Sequence, residues 1–232
     1  MEIFVTGLQW YVVFLFSTTL HEAFHALAAW RLGDSTAYEG GQVTLDPLPH
    51  IRREPVGLVV VPILSFALGG WMMGWASVPY DREWALRYPK RSAIMSLAGP
   101  IANLLLVFVA AIIIRVGMMS EIFSAPEQLI FSHIVEANEA GTYEIVATFL
   151  SLFFSLNLLL FLFNLLPVPP LDGSGIIPLF LNHETAQKYL QLLYNSPAGF
   201  FGLLIAWNVF KYIYSPVHLV VVNLLYPGLN YH

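Results

Sequence analysis

His21, Glu22 and His25 follow the spacing His-Glu-x-x-His inside an otherwise apolar stretch. Residues four apart lie on one face of a helix, so both imidazoles can bind the same metal ion. The glutamate can then reach a water molecule on that ion and act as its base. A charged side chain at the centre of a bilayer costs at least about 2.5–3.5 kcal/mol. A residue with this cost is kept where it is paired or catalytic. The pattern predicts a catalytic metal site; the alternative is a helix end whose polar residues face water.

A catalytic zinc ion takes three protein ligands and keeps one position for water, so a third ligand must lie elsewhere. The chain has no cysteine, which leaves His, Asp or Glu. Asp172 is the best candidate, because it is the only carboxylate between Glu144 and Glu184 and follows a Pro-rich turn. Prolines stop a regular helix, and a rigid turn can direct the carboxylate back toward the membrane. From spacing alone, an ordinary solvated Asp beside Gly173 explains the position equally well.

The elements that must position these residues are membrane helices. Of 232 residues, 57% are hydrophobic and 11% are charged, whereas soluble domains carry roughly 25% charged residues. Crossing a bilayer takes about 20 apolar residues. The net charge of −5 argues against a nucleic-acid partner, which needs a basic surface. The sequence therefore predicts an integral membrane protein with four spans, at residues 8–30, 92–116, 143–166 and 197–225.

A fifth apolar run, at residues 56–75, is broken by Pro62 and by Gly69, Gly70 and Gly74. Residues 31–91 contain seven Lys and Arg residues, whereas residues 117–142 contain none and carry four Glu. Loops rich in Lys and Arg stay in the cytoplasm. If the fifth run re-enters the membrane instead of crossing it, all seven positive residues share the cytoplasmic face, so we favour re-entry. Residues 33–50 are predicted to form two short strands around a turn, because Gly pairs mark turns.

The predicted fold is a single all-α membrane domain over residues 1–232. It has four transmembrane helices, a re-entrant segment and short membrane-associated β-strands. Gly99 and Pro100 are expected to begin the middle span and to permit close packing. Asn103 is expected to make a structural hydrogen bond between helices.

Beyond these local patterns, the sequence resembles the site-2 protease family of intramembrane zinc metalloproteases. The pair of motifs that carries the resemblance is HExxH at residues 21–25 and N-x-L-P-x-x-P-L-D-G at residues 164–173. The resemblance covers about residues 10–180 and is to the compact bacterial type without PDZ or CBS domains. Three further stretches are similar to family elements: residues 33–37 (G-D-P-T-A), 45–50 (L-N-P-L-x-H) and 96–103 (A-G-P-x-A-N).

The resemblance implies one Zn²⁺ per chain, and it favours Asp172 as the third ligand. It also implies that Glu22 is the general base and that Asn164 stabilises the oxyanion, although an interhelical hydrogen bond is the alternative for Asn164. In the family, a strand near residues 72–79 holds the substrate; Ser77 replaces the lysine that compact members usually have. The implied site residues are the ligands His21, His25 and Asp172, the catalytic residues Glu22 and Asn164, and the substrate-binding residues Gly74, Trp75, Ala76 and Ser77.

The expected substrate is a transmembrane segment of another protein, which must unwind before its peptide bond can be attacked. The expected location is a prokaryotic cell membrane, with the site toward the cytoplasm. Substrate selection is left to membrane access, a prior cut, a regulatory membrane partner or a second copy of the chain. The alternative function is a membrane metal-binding protein or transporter without protease activity. A transporter is expected to show inverted repeats and ionisable residues in several spans.

Overall fold

The computed structural model describes residues 2–195 and 199–232. In these residues the chain forms ten α-helices and one two-stranded antiparallel sheet. The elements are α1 (Glu2–Leu32), α2 (Thr36–Glu39), α3 (Pro47–Arg53), α4 (Val61–Gly69, preceded by a π-helical turn at Val56–Val60), α5 (Arg82–Arg87), α6 (Pro89–Met119), β1 (Phe123–Ser124), β2 (Glu136–Ala137), α7 (Thr142–Asn164), α8 (Asp172–Ile176, followed by a 3-10 turn at Ile177–Phe180), α9 (His183–Asn195) and α10 (Gly199–Leu225).

Four helices, α1, α6, α7 and α10, are long and apolar enough to cross a membrane. Helices α1 and α6 have 31 residues each, or about 46 Å at 1.5 Å per residue, so they extend beyond a hydrocarbon core of about 30 Å. The predicted span 197–225 starts at residues 197 and 198, which lie outside the described residues, and α10 contains the rest. These helices confirm the predicted all-α membrane fold.

The molecular core lies where α1, α6 and α7 pack together. Buried apolar side chains from all three helices form one cluster, to which Val13 of α1, Ala110 of α6 and Leu152 of α7 each contribute a fully buried side chain. Polar side chains are buried in the same interior, among them Ser17, Asn103 and Asn157. Because hydrocarbon offers no hydrogen-bond partner, such groups must satisfy one another inside the bundle.

The predicted re-entrant run forms a helix followed by a non-helical return. The π-helical turn and α4 contain 14 residues, about 21 Å of helix, which is too short to cross a hydrocarbon core of about 30 Å. Gly70 ends α4 with φ of +73°, the left-handed conformation that favours glycine. The following residues, up to α5, have no regular secondary structure.

The return segment, residues 71–79, runs back along the helix it follows. As the residue numbers of the donors rise, those of their partners fall, which is an antiparallel arrangement. The start and the end of the run therefore lie side by side, on one side of the bundle. The contacts are Met73 N–H to Ser65 Oγ (2.9 Å), Trp75 N–H to Gly57 O (3.2 Å) and the Ser77 hydroxyl to Glu54 Oε1 (2.6 Å).

The two strands predicted in residues 33–50 are wrong, since this region forms the short helices α2 and α3. The Asp34 carboxylate accepts a hydrogen bond from the Thr36 N–H at 3.0 Å, and the Asp46 carboxylate accepts one from Leu48 N–H at the start of α3. Asp46 is the N-cap of α3, and Asp34 makes the same kind of bond from the residue before the N-cap of α2. Both bonds outweigh the turn signal of the glycine pair. In the described residues, β1 and β2 instead lie in the loop between α6 and α7.

The expected start of the middle span is also wrong. Helix α6 begins at Pro89, ten residues before Gly99, and Pro100 lies inside it. Proline is favoured in the first turn of a helix, where its missing N–H has no intrahelical partner anyway. Gly99 does permit the close packing that the sequence indicated, because its Cα faces two side chains of α1.

Candidate active site

Helix α1 presents three ionisable side chains to the interior of the bundle. His21, Glu22 and His25 are each 6% exposed. His25 lies seven residues, about 10 Å, before the end of α1, so the group is inside the long helix and not at its end. The Nε2 atoms of the two histidines are 3.0 Å apart. The i,i+4 spacing therefore brings both rings to one point, as the sequence predicted.

Asp172 completes this point from the other side of the bundle. Its Oδ2 is 3.0 Å from His21 Nε2, and its Oδ1 is 3.3 Å from His25 Nε2. Burial by itself raises the pKa of the Asp172 carboxyl, but the adjacent His25 and His21 rings outweigh burial and hold this pKa below its ordinary value. Asp172 is thus a carboxylate placed to share a cation with the two imidazoles.

Glycine allows the chain to bring Asp172 back to the helices. After α7 ends at Asn164, the Pro-rich segment turns, and α8 begins at Asp172 itself. A Cβ on Gly173 would overlap the main-chain oxygens of Leu165 and Leu166. Only a residue without a side chain lets the start of α8 lie against the end of α7. This close approach places the carboxylate over the two histidines.

The second nitrogen of each imidazole is held by a protein acceptor. His25 Nδ1 donates to the main-chain oxygen of Met95 at 2.7 Å, and His21 Nδ1 donates to Asn103 Oδ1 at 2.6 Å. Both acceptors belong to α6. Hydrogen bonds of this kind fix ring orientation and leave Nε2 free to bind a metal.

Gly99 of α6 lies directly against the Nε2 atoms of the two histidines. A Cβ at this position would overlap the Nε2 atoms of both His21 and His25. The sequence indicated close packing at Gly99 but gave no sign that the packing partner is the ligand pair, because this depends on how α6 crosses α1.

The donor atoms fit zinc. Two imidazole Nε2 lone pairs and a carboxylate face one another at 3.0–3.3 Å, with both Nδ1 atoms already bonded as donors. When both Nε2 atoms are unprotonated, these groups repel one another unless a cation lies between them. A tetrahedral zinc ion with metal–ligand distances of about 2.0–2.1 Å keeps its ligands about 3.3–3.4 Å apart, close to this spacing. The ligand atoms of His21, Glu22 and His25 also all lie within 4.8 Å of one another.

A cavity of about 380 Å³ opens onto these residues. Glu22, His25 and Asp172 line it, and so do Ala76, Ser77 and Val78 of the return segment. Glu22 makes no hydrogen bond within the described residues, so its carboxylate is available to a molecule in the cavity. The arrangement can bind a metal ion, a water molecule and an extended chain side by side.

The other predicted site residues lie in two different places. Ala76 and Ser77 line the cavity, whereas Gly74 and Trp75 attach the return segment to the π-helical turn, where a Cβ on Gly74 would overlap Gly57 O. Asn164 is the last residue of α7, and its amide donates to Leu160 O of the same helix at 3.0 Å. It is not among the residues that line the cavity.

Comparison with known proteins identifies the family. The profile of peptidase family M50, the site-2 protease family, matches residues 9–206. The Bacillus subtilis (strain 168) protein "Putative zinc metalloprotease YwhC" is 32% identical over 168 residues, which are 72% of this chain and 66% of that protein. "Putative zinc metalloprotease Rip2" of Mycolicibacterium smegmatis (strain ATCC 700084 / mc(2)155) is 32% identical over 216 residues, which are 93% of this chain and 66% of that protein.

The chain thus spans about two thirds of the length of these relatives. No solved structure matches it. The matched region contains the HExxH residues of α1 and the aspartate of α8. The chain is an integral membrane protein and belongs to peptidase family M50.

Proposed function

We propose that the chain is a zinc-dependent intramembrane endopeptidase, which hydrolyses peptide bonds in or near transmembrane segments of other membrane proteins. The observation that supports this most strongly is the convergence of His21, His25 and Asp172 beside the unbonded carboxylate of Glu22, inside a helix long enough to span the membrane. A site at this depth serves substrates that are themselves in the membrane. We propose one zinc ion per chain.

Each residue then has a role in hydrolysis. His21, His25 and Asp172 hold the zinc ion, which when bound polarises the scissile carbonyl and lowers the pKa of a water molecule toward about 7. Glu22 accepts a proton from the attacking water while the water oxygen bonds to the carbonyl carbon. Glu22 then gives the proton to the amine nitrogen as the C–N bond breaks.

Asn164 is proposed to stabilise the negative oxygen that develops on the substrate. Its amide N–H now donates to a carbonyl of its own helix. Because Asn164 is at the end of α7 and next to the turn that carries Asp172, a change of its side-chain rotamer would direct the amide toward the turn.

The return segment is proposed to hold the unwound substrate by main-chain pairing. Met73 and Trp75, two residues apart, both direct their N–H groups to the re-entrant helix. Alternate residues of an extended chain face opposite sides, so the N–H groups of Ala76 and Val78 face the other way. Neither N–H has a partner in the part of the chain that the structure describes, and both residues line the cavity. An extended peptide can add to this edge.

We propose a prokaryotic cell membrane as the location, with residues 31–91 and 167–196 on the cytoplasmic side and the active site toward that side. The seven positive residues within residues 31–91 support this orientation. A regulatory membrane partner or a second copy of the chain is compatible with the exposed faces of the long helices.

The test of the proposed function is Glu22→Gln. The amide keeps the shape of the side chain but cannot accept the proton, so we expect cleavage of a reconstituted transmembrane substrate to fall by about 10²–10⁴-fold. Zinc content should stay at about one ion per chain, measured by metal analysis of the purified protein.

The matched control is Glu184→Gln, because Glu184 is exposed on α9 and, among the residues that the structure describes, pairs only with Lys188. This variant should cleave like the wild type. Full cleavage by Glu22→Gln would remove Glu22 from the reaction. Unchanged zinc content in both His21→Ala and Asp172→Ala proteins would remove the proposed ligand set.

A further inference from the structure

Asn103 and Asn157 form a buried polar chain that reaches the metal site from α7. We propose that this chain fixes which nitrogen of His21 faces the metal, so that Asn157 is a positioning residue although it touches no metal ligand. The proposal rests on the zinc site proposed above. It concerns how that site is set up, and it is argued from the direction of each hydrogen bond.

The direction is set first at Asn157 of α7. Its Nδ2 donates to the main-chain oxygen of Phe153 at 2.7 Å and to Ser17 Oγ at 2.9 Å. A main-chain oxygen can only accept, so the nitrogen of the amide must lie on this side. If the amide were reversed, two acceptor oxygens would face each other at 2.7 Å. The Oδ1 of Asn157 is therefore the atom that faces α6.

The orientation of the Asn103 amide, on α6, follows from that of Asn157. Its Nδ2 donates to Asn157 Oδ1 at 2.9 Å, and the main-chain oxygen of Ser17 lies at 3.4 Å from the same nitrogen. Both acceptors require the nitrogen on this side, so Oδ1 must face His21, 2.6 Å from Nδ1. An amide oxygen only accepts. His21 Nδ1 therefore carries the hydrogen, and Nε2 presents its lone pair to the metal.

The two histidines differ in what they need. His25 Nδ1 donates to the main-chain oxygen of Met95, which can only accept a hydrogen bond, whatever surrounds it. His21 Nδ1 meets a side-chain amide, which could equally present a donor if nothing fixed it. Asn103 and Asn157 are both completely buried, so no water can take the place of the lost partner. The orientation of His21 thus depends on a residue of a third helix.

A purely structural role for the asparagines makes a different prediction. Hydrogen bonds that only join α1, α6 and α7 would stabilise the zinc-free and the zinc-bound protein alike, and removing them would leave zinc affinity unchanged. A positioning role lowers zinc affinity. Groups that orient metal ligands typically account for about 10–100-fold in metal affinity or activity.

The experiment measures the zinc dissociation constant of the purified full chain in detergent, by competition with a chelator. Asn157→Leu leaves only the longer 3.4 Å contact with the Ser17 main-chain oxygen to orient the Asn103 amide, so we expect zinc binding to weaken by about tenfold. Asn103→Asp supplies two acceptor oxygens and needs no orienting partner. The double variant Asn103→Asp/Asn157→Leu should therefore regain the wild-type affinity to within about threefold.

The matched control is Ser151→Ala, another buried polar residue of α7. Ser151 Oγ accepts from the N–H groups of Ile134 and Val135, and it makes no hydrogen bond to the proposed ligands. This variant should lose thermal stability without changing zinc affinity. If Asn157→Leu does not fold, Asn157→Ala makes the same test without added apolar bulk. If neither folds, the chain of bonds is structural and the proposal is rejected.

Three results would overturn the positioning role: wild-type zinc affinity in Asn157→Leu, an equal loss in Ser151→Ala, or no recovery in the double variant. Failure of the proposed function would look different. In that case the wild type would bind no zinc, or His21→Ala would bind it as tightly as the wild type.

Discussion

At the scale of single residues, the metal site is defined by where side chains are missing as much as by where they are present. His21 and His25 converge with Asp172 because Gly173 lets α8 lie against α7 and Gly99 leaves space on α6. The space beside Gly99 is bounded by the two Nε2 atoms themselves. A single added methyl group there would occupy the place where the ligands meet.

We therefore expect Gly99→Ala to lower zinc content strongly while α6 remains helical. Alanine is the best helix former, so the substitution favours the helix itself by up to about 1 kcal/mol. The methyl group would instead force the imidazoles apart, and zinc binding requires ligand positions within about 0.2 Å of their normal distances. Metal analysis and circular dichroism of the purified protein measure the two effects separately.

Gly117→Ala is the control, because Gly117 is the other glycine of α6 and its Cβ would overlap the Phe123 ring. It should reduce stability and keep zinc. Equal zinc content in Gly99→Ala and the wild type would show that the ligands do not need this space.

The sequence singled out the proposed ligands but not the residues that position them. His21, Glu22 and His25 are four residues or fewer apart, so helix geometry alone brings them together. Asp172 needed the family resemblance, because a Pro-rich turn has no fixed direction in sequence. Asn103 was expected to bond between helices, which it does with Asn157. Its bond to His21 depends on the rotation of α6 against α1, which no local pattern specifies.

At the scale of elements, the return segment forms one side of the cavity, and its hydrogen bonds give it two different edges. The edge with Met73 and Trp75 is bonded to the re-entrant helix, and the edge with Ala76 and Val78 faces the cavity. The sequence predicted a strand here, but a strand needs a partner, and in the described residues none pairs with it. A substrate would supply that partner.

We expect Ala76→Pro to impair cleavage and to leave zinc content unchanged. Proline removes the free N–H at the cavity edge, and it favours an extended conformation of the preceding residue, so the path of the chain is kept. The loss of one charge-free hydrogen bond to the substrate corresponds to about 0.5–1.5 kcal/mol, or roughly 2–12-fold in kcat/KM, and the ring adds steric hindrance. The loss is measured as kcat/KM for cleavage of a reconstituted transmembrane substrate.

Two variants separate pairing from other effects. Ala76→Gly keeps the N–H and should cleave nearly like the wild type. Ser77→Pro changes the neighbouring N–H, which faces the opposite way, and should affect cleavage less than Ala76→Pro. Equal activity of Ala76→Pro and Ala76→Gly would mean that the segment does not pair with the substrate, and zinc loss in Ala76→Pro would mean that it supports the fold.

Long elements were predictable from the sequence and short ones were not. About 20 consecutive apolar residues have few structural solutions in a bilayer, which is why the four long helices were found. Residues 33–50 were predicted as strands from a glycine pair, whereas the Asp46 carboxylate caps α3 and the Asp34 carboxylate bonds to the N–H of the first residue of α2. At this length, one side-chain hydrogen bond decides between the two structures.

At the scale of the whole molecule, charge and shape lead to the same orientation. The seven positive residues of residues 31–91 flank the re-entrant run on both sides in sequence, and the geometry places the two ends of that run together. The acidic loop between α6 and α7 contains no Lys or Arg. These seven residues can then all face the cytoplasm only if the re-entrant run does not cross the membrane.

Single cysteines test this orientation directly, because the native chain has none. We expect an impermeant thiol reagent on intact cells to label Gln128→Cys, in the acidic loop, and not Ser35→Cys, Ser77→Cys or Thr185→Cys. All four positions are exposed in the structure, so a lack of labelling reports the membrane side and not burial. Opening the cells with detergent should make all four react, which is the control for reactivity. Labelling at position 77 but not at 35 would show that the re-entrant run crosses the membrane, and the cavity beside Ala76 would then lie on the outer side.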